Sequence, residues 1–249
     1  SSRRQLPAFQ YGERIMDLIR NNQVLVLSGE TGCGKYSIAS QRVSKPLRVG
    51  LAPSHLISYH LRQTTQVPQL ILDDAIRKSQ TVSDEGSSNS SNGVNVLVTQ
   101  PRRISAIGVA DRVASERCEK VGSTVGYQIR LESRVSQQTQ ITFMTTGKLP
   151  IRSAFFIRLY PGILLRRLLS DTRLQGVTHV IVDEVHERQL DTDFLLIILR
   201  DLLQQRSDLK VVLMSATLQS DLFSTYFGRC ATIAVPGRTF PVESLFLEE

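Results

Sequence analysis

The chain has 249 residues, a formal net charge of +7 and 41% hydrophobic residues. This composition excludes a collagen-like, coiled-coil or wholly disordered protein, and the length suits one large α/β domain or two small ones. No apolar run approaches the roughly 20 residues of a membrane helix, and the three cysteines have neither metal-binding nor disulfide spacing.

Short β-branched runs alternate along the chain with longer stretches of helical periodicity. Strands are predicted at Val24–Ser28, Val94–Val98, Thr178–Val182 and Lys210–Met214, and helices at Ile104–Lys120, Phe194–Gln205 and Leu218–Phe227. Because this order requires crossover connections, it predicts an α/β fold with a mostly parallel sheet and helices on both faces. The Ser-, Asn- and Gly-rich segment 79–93 is predicted to be a flexible surface loop.

A glycine-rich segment directly follows the first predicted strand. It reads Gly29-Glu30-Thr31-Gly32-Cys33-Gly34-Lys35. This fits the G-x-x-x-x-G-K pattern of a phosphate-binding loop, in which glycines let backbone N–H groups converge on phosphate oxygens. The lysine supplies a positive charge for the β- and γ-phosphates of a nucleotide. The next position ordinarily carries the Ser or Thr that binds Mg²⁺, but here it is Tyr36, whose phenol oxygen lies too far from its Cα to take that place.

Two acidic residues and a histidine follow the third predicted strand. Asp183, Glu184 and His186 lie where an open α/β sheet binds its ligands, at the carboxyl end of a strand. Asp183 is suited to hold Mg²⁺ and Glu184 to orient and deprotonate an attacking water. His186 would connect the nucleotide site with later motifs. Paired acids are also common in the first turn of a helix, but the phosphate loop upstream favours the catalytic interpretation.

Five motifs occur in an order typical of one family. They are Gly29–Lys35, Thr99–Arg103, Thr145–Gly147, Asp183–Arg188 and Ser215–Thr217. From about Leu6 onward the chain resembles the first RecA-like domain of the DExH-box RNA helicases, in the DEAH/RHA group. The resemblance implies a RecA-like P-loop NTPase domain over residues 1–241. Residues 242–249 would then begin the connection to a second RecA-like domain, whose motifs do not occur in this sequence.

The resemblance also implies roles for individual residues. ATP would be held by Gly29, Glu30, Thr31, Gly32, Cys33, Gly34, Lys35, Thr64 and Arg112, the last by stacking on adenine. Mg²⁺ would be held by Thr64 and Asp183, with Lys35, Asp183, Glu184 and His186 as catalytic residues. The RNA backbone would be bound by Thr99, Gln100, Pro101, Arg102, Arg103, Thr145, Thr146 and Gly147. Ser215, Ala216 and Thr217 would couple hydrolysis to strand separation.

Residue chemistry agrees with the proposed nucleic-acid motif. Arg102 and Arg103 start the helix after the second predicted strand, and two guanidinium groups there suit phosphates better than bases. Together with the resemblance, which implies RNA, this predicts that RNA, or DNA, is bound through its backbone and independently of sequence.

Two segments interrupt the family pattern. After Lys35 the pattern continues with a hydroxyl residue and a helix, which appear only at Thr64, beyond the 28 residues 36–63. A further 15 residues, 148–162, separate Gly147 from the expected continuation. Both lie inside binding motifs, where an insertion should be most damaging.

We interpret both segments as retained introns in the coding sequence. For 148–162, the codons of Gly147-Lys148 and Pro161-Gly162 can supply a GT donor and an AG acceptor in the same phase. The first segment is supported only by the family pattern, and a lineage-specific insertion is the rival explanation. Without 36–63, Thr64 would follow Lys35 and take the magnesium-binding role.

The sequence thus predicts the N-terminal motor domain of an intracellular ATP-dependent RNA helicase, in the cytoplasm or nucleus. The alternative is a catalytically silent RNA-binding module whose phosphate loop is disabled at Tyr36. A P-loop switch without a nucleic-acid role is disfavoured by the Thr99–Arg103 motif together with the acidic motif at Asp183–Glu184. In the family the second domain supplies arginine fingers, so this chain alone should hydrolyse ATP weakly or not at all. The prediction requires Gly32–Lys35 and Asp183–Glu184 to face one pocket.

Overall fold

A computed structural model of the chain describes residues 11–29, 62–83, 93–146, 163–216 and 220–235, with the side chains of 62, 63 and 81–83 excepted. The described strands are β1 (Val24–Gly29), β2 (Val96–Gln100), β3 (Val125–Ile129), β4 (Glu132–Arg134), β5 (Ile141–Thr145), β6 (His179–Val182), β7 (Lys210–Ser215) and β8 (Ala231–Val235). The described helices are α1 (Gly12–Asn21), α2 (Arg62–Ser83), α3 (Arg103–Glu116), α4 (Ile163–Ser170), α5 (Leu190–Gln205) and α6 (Ser220–Tyr226).

The eight strands form one sheet in the order β4–β3–β5–β2–β6–β7–β1–β8. All neighbouring pairs are parallel except β3 and β4. The carboxyl ends of β1, β2, β5, β6 and β7 therefore meet at a single edge of the sheet. The predicted α/β fold with a mostly parallel sheet is confirmed, in the arrangement expected of a RecA-like domain.

Hydrophobic side chains of the central strands are buried on both faces of the sheet. In β1, Leu25 and Leu27 pack with α1, α2 and α3 on one face, while Val24 and Val26 pack with α4 and α5 on the other. Because successive side chains of a strand point to opposite faces, a continuous apolar run is buried only when both faces are covered. No helix in the described ranges is both long and apolar enough to cross a lipid bilayer.

The four predicted strands and three predicted helices are present, with ends shifted by a few residues. Sequence periodicity did not reveal β3, β4, β5 and β8, nor α1 and α4. The prediction of a loop over 79–93 is wrong for residues 79–83, because α2 continues to Ser83. Its apolar face is anchored earlier, at the buried Val67 and Ile71, and an established helix extends at low cost through polar residues. The rest of that segment, 84–92, lies outside the described residues.

Candidate functional site

A buried hydroxyl and a buried carboxylate meet at the carboxyl edge of the sheet. Asp183 follows the end of β6, and Thr64 lies in the first turn of α2. The Thr64 hydroxyl donates a 2.6 Å hydrogen bond to Oδ2 of Asp183, across 119 residues of sequence. The structure thus brings together the two residues that the sequence predicts as magnesium ligands.

Three hydrogen bonds from described residues hold the Asp183 carboxylate. Besides the Thr64 hydroxyl, the Gln100 side-chain amide donates to Oδ2 at 2.5 Å. The backbone N–H of Glu184 donates to Oδ1 at 2.8 Å. Burial raises the pKa of Asp183 above its usual range, while the hydrogen bonds from Thr64 and Gln100 oppose that rise.

The chemistry of these groups fits Mg²⁺. Carboxylate and hydroxyl oxygens are the hard ligands that this cation prefers. A cation beside Asp183 would also offset the cost of burying its negative charge, which is the main cause of its raised pKa. Among the described residues, no group of three or more His, Cys, Asp or Glu side chains is placed to hold a metal ion.

The acidic motif contacts the end of β7 through His186. The backbone N–H of Ala216 donates a 3.1 Å hydrogen bond to Nδ1 of His186. Since Nδ1 accepts, the proton of a neutral imidazole lies on Nε2, which faces Oε2 of Glu184 at 3.2 Å. The structure therefore links Glu184, His186 and the Ser215–Ala216 segment in one chain of contacts.

The backbone on both sides of the His186 segment is strained. A short 3₁₀ helix, Val185–Glu187, is flanked by Glu184 at φ 55° and Arg188 at φ 50°, both in the left-handed region. Such a conformation costs roughly 1–2 kcal/mol for a residue with a Cβ and is concentrated at functional sites.

Two arginines are exposed at the start of α3. Arg102 is the N-cap of α3, and its guanidinium lies 3.3 Å from the Glu187 carboxylate. The Arg103 guanidinium donates to the backbone carbonyl of Arg130 at 3.3 Å. An exposed ion pair of this kind contributes little to stability, so Arg102 is available to a phosphate.

Four other predicted RNA-binding residues, Thr99, Gln100, Thr145 and Thr146, have buried side chains. Thr99 and Thr146 are 0% and 2% exposed, and their hydroxyls have no hydrogen-bond partner in the described part of the chain. Thr145 and Gln100 are also buried. Binding of the RNA backbone by these four residues stays a prediction.

Arg112, the predicted adenine-stacking residue, lies on α3 with its side chain largely exposed. Its Nε donates to Glu116 at 2.8 Å. The other oxygen of Glu116 accepts hydrogen bonds from Gln66 and Gln69 of α2 at 3.0 and 2.9 Å. Sequence reasoning missed Glu116, although its spacing of four residues from Arg112 is typical of a helical ion pair.

A profile of the DEAD/DEAH box helicase family matches residues 10–224. The chain belongs to this family. It is 47% identical over 247 residues to the putative ATP-dependent RNA helicase DHX57 of Homo sapiens and 46% identical to the DExH-box ATP-dependent RNA helicase DExH1 of Arabidopsis thaliana. It is 42% identical over 250 residues to the ATP-dependent DNA/RNA helicase DHX36 of Mus musculus.

These alignments cover 99% of this helicase-family chain but only 14% of the DHX57 sequence and 20% of DExH1 and DHX36. The chain therefore spans between a seventh and a fifth of the length of these relatives. The DExH-box assignment of the chain agrees with the motif order in its sequence.

Several predicted site residues of the helicase-family chain lie outside the described residues. They are Glu30, Thr31, Gly32, Cys33, Gly34, Lys35, Gly147 and Thr217, together with Tyr36. Gly29 is described and ends β1, paired with Val235 at the same edge of the sheet as Asp183. Pro101 lies between β2 and α3. The common pocket of Gly32–Lys35 and the acidic residues stays a prediction.

Proposed function

We propose that this chain is the N-terminal motor domain of an ATP-dependent RNA helicase. It would bind Mg-ATP and the RNA backbone, and would couple hydrolysis to strand separation once joined to a second RecA-like domain. The hydrogen bond between Thr64 and Asp183 carries this proposal. It joins the continuation of the phosphate-loop motif to the acidic motif, although 119 residues separate them.

The residues of the chain have distinct tasks in this proposal. Thr64 and Asp183 would hold Mg²⁺, which would supply charge neutralisation at the nucleotide phosphates. Glu184 orients the attacking water and accepts its proton, with its position fixed by the backbone strain and by His186. Arg102 and Arg103 contact the phosphates of the nucleic acid.

The Thr64 contact also favours an active site over a silent module. In the silent alternative, Tyr36 occupies the position of the magnesium hydroxyl and Thr64 has no role at the site. The hydroxyl of Thr64 instead lies against the metal-binding carboxylate, at the start of a helix. This is where the family pattern requires a hydroxyl.

RNA is the proposed nucleic acid, with DNA as a second substrate. The exposed arginines bind the phosphate backbone through its charge and geometry, and RNA and DNA share this backbone. The name of the DHX36 relative includes both DNA and RNA. Competition between single-stranded RNA and DNA of one sequence distinguishes the two substrates.

Substitution of Glu184 tests the proposal in the full-length protein. Glu184→Gln should leave ATP affinity within about twofold and lower RNA-stimulated turnover by about 10²–10⁴, the usual contribution of a general base. Glu13→Gln, on the exposed side of α1, is the matched control and should retain wild-type turnover. Binding is measured with a fluorescent ATP analogue and turnover by phosphate release.

Undiminished turnover in Glu184→Gln would remove Glu184 from the proposed role. The isolated chain provides a second arm of the same assay. We expect it to turn over ATP at least about 10³-fold more slowly than the full-length protein, because a transition-state arginine contributes about 10³–10⁵. Turnover of the isolated chain at the full-length rate would contradict the need for a second domain.

A further inference from the structure

The side chain of Gln100 is buried beside the metal-binding carboxylate. It is 3% exposed, and its amide nitrogen donates to Oδ2 of Asp183 at 2.5 Å. The same oxygen accepts the Thr64 hydroxyl. A side chain in this position does not reach a nucleic acid, although its motif suggests RNA binding. Its chemical task is to hold a carboxylate.

The backbone of Gln100 contacts the second predicted RNA-binding motif. Gln100 pairs with Thr145 in the register of β2 and β5. Its carbonyl also accepts a 3.3 Å hydrogen bond from the N–H of Thr146. Gln100 therefore forms hydrogen bonds with Thr146 of the second motif through its backbone and with Asp183 through its side chain.

The exposed arginines, Arg102 and Arg103, lie close to Gln100 in the sequence. Arg102 lies two residues later and caps α3, and its ion pair is made with Glu187, four residues after Asp183. A phosphate bound by Arg102 would compete with Glu187 for the guanidinium, since both are anions at the same donor. Binding of nucleic acid would thus affect both the segment that follows Gln100 and the segment that follows Asp183.

We propose that Gln100 is a positioning residue that transmits occupancy of the Arg102–Arg103 site to Asp183. The proposal rests on the proposed function, because it needs an ATP site at Asp183 and a nucleic-acid site at the arginines. Gln100 does not contact RNA. Because Gln100 ends β2, a shift in the end of this strand changes the orientation of the Asp183 carboxylate. In this way bound RNA changes the rate of ATP turnover.

Gln100→Met in the full-length protein tests this inference. Methionine keeps the length of the side chain and removes the N–H donor. Turnover is measured at saturating ATP, with and without saturating single-stranded RNA, and over a range of Mg²⁺ concentrations. The ratio of RNA-stimulated to basal turnover should fall about tenfold, as expected for loss of one hydrogen bond to a charged group. Half-maximal turnover should require several times more Mg²⁺, while RNA affinity stays within about twofold.

Gln23→Met is the matched control. The Gln23 amide donates to the carbonyls of Leu203 and Arg206 at 2.9 and 2.7 Å, at the opposite edge of the sheet. Loss of these two hydrogen bonds should lower the free energy of unfolding and leave RNA stimulation of turnover unchanged. An equal loss of stimulation in both variants would show that Gln100 acts only through stability.

Three other outcomes overturn the inference. A fall in RNA affinity with stimulation intact at saturating RNA would make Gln100 an RNA contact. An equal fall of basal and stimulated turnover would make it a support of the site without coupling. If Gln100→Met does not fold, the Mg²⁺ concentration for half-maximal turnover is measured in the wild-type protein with and without RNA. The same value in both conditions would contradict the proposal. Absence of any RNA-stimulated turnover in the wild type would instead refute the proposed function.

Discussion

His179 is the first residue of β6, at the edge of the sheet opposite the candidate site. Burial lowers the pKa of this histidine to about 4, and the nearby ammonium groups of Lys210 and Lys78 add to the effect, while Asp74 opposes it. Its Nδ1 lies 2.9 Å from the hydroxyl of Thr178. The folded protein therefore keeps this imidazole neutral over the pH range in which a free histidine becomes charged.

This shift predicts a loss of stability in mild acid. Between about pH 6.5 and pH 4 the unfolded chain binds a proton at His179 that the folded chain does not, so the free energy of unfolding falls as pH falls. The loss over this range should be on the order of 2–3 kcal/mol. Denaturant titrations at several pH values check it, with His179→Gln as the comparison. Parallel pH curves for the two proteins would contradict the prediction.

At the scale of elements, the hairpin of β3 and β4 positions a backbone group beside the predicted nucleic-acid site. Arg130 and Leu131 form its two-residue turn, with Leu131 at φ 68°. The carbonyl of Arg130 accepts a hydrogen bond from Arg103. The hairpin is closely packed, since a Cβ on Gly126 would lie closer to the Arg134 carbonyl oxygen than real Cβ atoms come.

Gly126→Ala should therefore displace β4. Because the obstacle is backbone and cannot rotate away, we expect a loss of about 1–3 kcal/mol in the free energy of unfolding, as for an overpacked core. Gly108→Ala in α3 is the matched control, since a Cβ there meets nothing within 4 Å. The control should be neutral or stabilising by up to about 1 kcal/mol through helix propensity. Chemical denaturation measures both, and equal stability of the two variants would refute the close packing.

At the scale of the whole molecule, the net charge depends on the two interrupting segments. Residues 36–63 and 148–162 carry seven Lys and Arg residues and no Asp or Glu, so the remaining chain has equal numbers of acidic and basic residues. The argument for a polyanionic partner therefore rests on Arg102 and Arg103 at the site, and does not need the net charge. Thr64 lies in the first turn of α2, and Ile163 is the first residue of α4.

The retained-intron hypothesis predicts that mature transcripts lack both segments. Sequencing of full-length transcripts from the source organism across the two junctions measures this directly. Reads in which the codon for Lys35 is followed by that for Thr64, and Gly147 is followed by Ile163, should dominate. Abundant reads that contain both segments would support the rival explanation, a lineage-specific insertion.

Local sequence patterns were sufficient for β1, β2, β6 and β7 and for the motifs that follow these strands at the carboxyl edge of the sheet. Continuous apolar runs such as Val24–Ser28 indicate strands buried on both faces, and parallel strands bring the residues that follow them to one edge. Edge elements such as β4 are short and exposed, with no apolar period, so the sequence alone did not reveal them. Motif order was likewise sufficient to assign the family.

Tertiary structure decided what each site residue touches. The amino-acid sequence places Gln100 in a motif with two arginines, but the alternation of side chains along β2 and its neighbour β6 places its amide against Asp183. The meeting of Thr64 and Asp183 across 119 residues depends on how α2 packs against the sheet. Such contacts follow from packing of distant elements, which local composition and spacing do not encode.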